Sequence, residues 1–140
     1  MNVLKKIFGL FFLVFLVSCQ SSDSAHITTD EVVAVLQDYQ VELLDTNIPR
    51  GNPFGTKLNG VKPSEYELSG KPFYIYEFET EEDLKKGKSD FREKTAEMKL
   101  VSFIRIEKRN ILIFYVHGID SGEIPFEKEI GEALASIIEG

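Results

Sequence analysis

Val101 to Gly118 reads VSFIRIEKRNILIFYVHG, the longest run in the chain rich in β-branched and aromatic residues, and it predicts a single β-hairpin. Arg109 and Asn110 sit between its halves at the spacing of a two-residue turn. Asn tolerates the positive φ of a type I′ turn readily and Arg less so. This register sets Lys108 against Ile111, Ile106 against Ile113, Ile104 against Tyr115 and Ser102 against His117. Phe103, Arg105, Glu107, Leu112, Phe114 and Val116 then share the other face.

A second strand is expected from Phe73 to Glu79. Tyr74, Tyr76 and Phe78 share one of its faces and Phe73 and Ile75 the other, so it is apolar on both sides and should lie centrally. Tyr66 to Leu68 predicts a short strand that turns through Ser69 to Pro72 into it. Val41 and Leu43 suggest another near Gln40 to Asp45. Thr28 and Glu31 form a capping-box pattern ahead of a helical stripe of Val32, Val35 or Leu36, and Tyr39. Thr80 caps a second helix with Glu81, Glu82 and Asp83 in its first turn, where the helix dipole favours acids. Leu84, Phe91 and Met98 carry that helix to about Glu97, with Gly87 as a kink or restart. Pro125 or Phe126 to Glu139 reads as a last helix with Ile130, Leu134, Ile137 and Ile138 inward. The breaker-rich run Ile48 to Pro63 predicts a long surface loop. Arg50 and Phe54 carry its binding capacity, and Phe54 is expected to tuck into the core edge.

Together these elements predict an α+β domain: an antiparallel sheet of about four strands with helices packed on one face. The order also fits a permuted ferredoxin-like arrangement, with 73–79 and 111–117 central, 101–108 at one edge and the strand near Val41 at the other. A two-layer sandwich and a doubled helix-strand-strand unit are the alternatives.

With 140 residues, of which 43% are hydrophobic, the chain is long enough for one packed core. Its single cysteine, Cys19, excludes an intramolecular disulfide. The formal charge is −7; without Lys5 and Lys6, 14 basic residues face 23 acidic ones, a formal −9. Such a field opposes nucleic-acid binding and attachment of the domain body to an anionic membrane face.

Lys5 and Lys6 precede an apolar run from Ile7 to Val17, then Ser18 and Cys19, which is the layout of a secretion signal and too short for a membrane-spanning helix. Leu16-Val17-Ser18-Cys19 resembles the lipobox of bacterial membrane lipoproteins. The resemblance implies cleavage before Cys19 and a diacylglyceryl group on its sulfur, and two acyl chains suffice for stable anchoring. The expected organisation is a signal peptide over 1–18, the lipidated cysteine and a polar tether over 19–27, and one domain over 28–140, held at the extracytoplasmic face of the cell membrane. The body, through YELSGKPFYIYEFETEEDLKKGKSDF and KRNILIFYVHG, is similar to small uncharacterised lipoproteins of Bacillus-type bacteria, a resemblance that implies no activity.

No catalytic constellation stands out. Gly87-Lys88-Ser89 invites comparison with a phosphate loop, but that motif needs glycine where this chain has Glu82. No cofactor or metal is expected, and His26 in the tether reads as solvated. The leading expectation is a non-enzymatic binding or accessory module of the cell envelope with a protein partner. Its contact surface would be the sheet face away from the helices, formed by Phe103, Phe114, Tyr74 and Tyr76. The alternatives are a small envelope hydrolase using His117 with Ser121, Asp120 or Glu123, and a purely structural or stress-related envelope protein.

Overall fold

The computed structural model describes residues 26–46 and 52–137. Cys19, the leader before it, Arg50 and Ile138 therefore lie outside the described residues. The hairpin forms in the expected register: β4 (Ile104–Lys108) pairs with β5 (Ile111–Tyr115), with Ile106 opposite Ile113. Arg109 takes the left-handed conformation at φ 51°, the costlier assignment for the turn. β2 (Ser64–Leu68) turns at Ser69 and Gly70, both at positive φ as a tight hairpin turn requires, into β3 (Lys71–Glu77). Pro72 thus lies within a central strand near its start. Its carbonyl still accepts from Val116 N–H, and its missing N–H costs the ladder one bond.

Among the described residues, five antiparallel strands run in the order β1-β2-β3-β5-β4, where β1 is the two-residue Leu44–Asp45. The α+β class, the central β3 and β5 and the edge position of β4 are as the sequence predicts. Two details differ. The neighbour of β3 is β2, with the expected early strand reduced to the short β1 outside it, and the sheet has five strands rather than about four.

The larger difference concerns the helices. α1 (Thr29–Asp38) and α3 (Glu127–Ser136) cover one face, where Val32, Leu36, Ile130, Ala133 and Leu134 meet Phe73, Ile75, Ile111, Ile113 and Tyr115. α2 (Glu81–Thr95) covers the opposite face, where Leu84 and Phe91 meet Tyr74, Tyr76, Phe78, Leu112, Phe114 and Val116. Helices on one face, as in a ferredoxin-like arrangement, are therefore corrected to helices on both. The reason is legible in β3 and β5: strands apolar on both sides leave two faces to remove from water.

Local signals place the helix starts. Thr28 and Glu31 complete the capping box, with Glu31 N–H donating to Thr28 Oγ1 at 3.2 Å and Thr28 N–H to Glu31 Oε2 at 2.7 Å. Thr80 Oγ1 accepts from Asp83 N–H at 3.1 Å. The loop after the undescribed residues forms a 3₁₀ turn, Pro53–Gly55, that inserts Phe54 into the α2-side core as expected. The Tyr76 hydroxyl anchors this loop on the carbonyls of Phe54 and Thr56. Burial pushes that phenol well above its ordinary range, so it stays a donor.

Gly87 does not restart α2: the helix runs unbroken from Glu81 to Thr95 and lies against Phe78, just past the end of β3, at this point. A Cβ there would fall 2.7 Å from Phe78 Cε1, and Phe78 is fully buried. Gly87→Ala should therefore destabilise by about 1–3 kcal/mol through overpacking, although alanine favours a helix interior by about 1 kcal/mol. Urea unfolding checks the sign, and adding Phe78→Leu should recover part of the loss.

Candidate functional site

The densest polar constellation among the described residues lies where the chain joins the sheet. Ile27 is buried, and the side chain of Asn110 holds its backbone on both sides. Asn110 Nδ2 donates to the Ile27 carbonyl at 2.8 Å and to the Phe78 carbonyl at 2.9 Å, while its Oδ1 accepts from Ile27 N–H at 2.9 Å. The amide thus replaces a peptide unit and binds residue 27 as a further strand would. The order Arg-Asn, rather than Asn-Gly, is the one sequence signal of this role. It leaves the left-handed position to arginine and keeps the asparagine for its side chain.

Glu77, at the end of β3, completes the junction. Its Oε2 accepts from the backbone N–H and hydroxyl of Thr29 at 2.8 and 2.9 Å, and its Oε1 meets His26 Nε2 at 2.9 Å. His26 Nδ1 lies 3.3 Å from the Glu79 carbonyl. His26 is therefore exposed, as expected of a solvated histidine, but it is also paired with the end of β3. With Ile27 it shows that the packed chain begins before residue 28. His26, Glu77, Phe78 and Glu79 line an open notch.

Partial burial acts upward on the Glu77 carboxyl, but the bonds from His26 and Thr29 outweigh it and hold its pKa below the ordinary 4.5. Its contribution to stability is complete above that value and is lost as pH falls through the lowered folded one. Glu77→Gln should cost about 1–2 kcal/mol at neutral pH and flatten the acid limb of the stability profile. Denaturant melts across the acid range, wild type against variant, measure both effects.

The residues expected to form a contact surface are elsewhere. Tyr74, Tyr76 and Phe114 are each at most 1% exposed and Phe103 is half-buried, all four under α2 and the Phe54 loop. This corrects their assignment to an open face: the helix that was to leave that face bare covers it. His117 is buried, and its Nδ1 accepts from Ile119 N–H at 3.0 Å. Ser102 donates to Asp120, and Ser121 and Glu123 are exposed. These side chains do not assemble into a nucleophile and base. Among the described residues no group of three or more His, Cys, Asp or Glu is placed to hold a metal ion. The acids opening α2 are engaged locally, Glu82 with Lys85 at 3.0 Å and Asp83 with Lys86 at 3.8 Å.

No protein-family model, curated protein or solved structure matches this chain. Functional reading therefore rests on its own geometry. No helix among the described residues is long and apolar enough to cross a membrane. What the arrangement does chemically is mechanical: Asn110 grips the backbone at residue 27, and Glu77 ties His26 and the start of α1 to the end of β3. Both grips close where the expected tether ends and α1 begins.

Proposed function

We propose that the chain is a lipid-anchored extracytoplasmic protein, acylated at Cys19, whose domain serves as a non-enzymatic binding or accessory module of the cell envelope. The observation that carries this reading is the fastening of His26, Ile27 and Thr29 to the end of β3 and to the hairpin turn. A domain held through its amino-terminal chain takes any pull at that point, and here the pull is passed directly to the central strands. Coverage of both sheet faces leaves edges and loops as the contact surfaces of such a module.

The test compares wild type with Cys19→Ala after expression in a bacterium with lipoprotein processing. Intact mass should show a cleaved, diacylglyceryl-modified wild type that partitions with membranes, and an unmodified variant released from them. A wild type without lipid mass, or a variant still fully membrane-bound, overturns the anchor.

A further inference from the structure

β4 forms one edge of the sheet. In β5, Asn110 and Val116 direct their backbone bonds to β3, with Asn110 O accepting from Phe78 N–H and Val116 N–H donating to Pro72 O, both at 2.9 Å. By alternation Ile111, Ile113 and Tyr115 bond to Lys108, Ile106 and Ile104 of β4. The N–H and C=O groups of Arg105 and Glu107 therefore point away from the sheet. Nothing among the described residues pairs with them there.

We propose that this edge is an interface with a second copy of the chain, in which two β4 strands pair antiparallel about a twofold axis at Ile106 and join the sheets into one. Charge selects both the occupant and the register. With Ile106 opposite its own copy, Arg105 faces Glu107 of the other chain, and the symmetry supplies that pair twice. Sliding by two residues one way sets Arg105 against Arg105; sliding the other way sets Glu107 against Glu107. Only the central register joins outward-facing backbone groups and opposite charges together.

Glu107 is already held in position by Lys88 at 2.7 Å, so its carboxylate is oriented before a second chain arrives. Ile104 and Ile106 are only half-buried, and pairing would cover them. Met98 and Val101, 55% and 58% exposed, lie on the stretch leading into β4. The interface does not depend on the lipid anchor.

Sedimentation equilibrium of the full-length chain in density-matched detergent, with reductant present, tests the proposal on wild type, Arg105→Glu, Glu107→Arg and the double exchange, the last carrying Lys88→Glu so that residue 107 keeps an opposite charge on α2. Wild type should show a monomer–dimer equilibrium. Each single reversal should weaken it at least tenfold, and the double exchange should restore it, with circular dichroism confirming that every variant is folded. A wild type that stays monomeric at the highest soluble concentration overturns the proposal. So does a dimer insensitive to the single reversals, which would have a different interface. Failure of the folded double exchange to recover the dimer overturns the register and with it the pairing of two β4 strands.

Discussion

Phe114→Ala is expected to lower the unfolding free energy by about 3–5 kcal/mol, a large share of the ~5–15 kcal/mol that holds a domain of this size folded. Phe114 is fully buried at the centre of the α2-side core. Its ring lies 4.5 Å from Phe91, 5.6 Å from Phe54, 5.8 Å from Phe103 and 5.9 Å from Tyr76. Removing it opens a cavity that rings fixed on a strand, a helix and a loop cannot all move to fill. The loss should extend to the loop, because Phe54 has its main partners in this cluster. Urea unfolding measures the first effect, and faster amide exchange from Phe54 to Leu58 the second. Phe114→Leu, which keeps most of the volume, should cost far less; equal losses in the two variants would mean that the ring contacts contribute little. Phe114→Asp would bury an unpaired charge and is expected not to fold.

Asn110→Ala should cost about 2–4 kcal/mol, since it leaves Ile27 N–H and the carbonyls of Ile27 and Phe78 without their partner. Only Arg109 in this turn has a positive φ, so alanine fits position 110 without backbone strain, and Asn110→Gly, which cannot bind Ile27 either, is a second check. A glycine variant as stable as wild type would show that the grip on residue 27 contributes nothing. Asn110→Asp keeps an acceptor for Ile27 N–H but turns a carboxylate oxygen toward two carbonyls. It should be less stable than Asn110→Gly at neutral pH and recover partly in acid, where the protonated carboxyl can donate. Proteolysis near residue 27 provides an independent readout of the freed segment.

These two sites mark where reading the chain residue by residue runs short. The hairpin register, both strand-central assignments, the two helix caps and the burial of Phe54 follow from patterns confined to a few neighbouring positions. Phe114 is legible as a large apolar residue on a defined face of β5, but α2 covers the face that the sequence leaves open. The stripe of α2 is compatible with either face, and nothing local to Leu84 or Phe91 distinguishes them. Gly87 had the same ambiguity: glycine within a helix signals a break or a close approach, and only Phe78 against the helix decides which. His26 and Glu77 are 51 positions apart, and neither lies in a pattern that points to the other.

By itself the sequence determined the α+β class, the pairing of β4 with β5, the central position of β3 and β5, and the residues that must leave water. Each is set by side-chain alternation, capping or turn chemistry within one element or one hairpin. The tertiary structure alone decided that the helices divide between the two faces, that the aromatic set is core rather than surface, and that Asn110 and Glu77 secure the chain at residues 26–29. These depend on contacts between segments far apart in the chain. Which segment covers a given apolar face, and which buried polar group finds a given partner, is settled when all the elements compete for the same two faces at once.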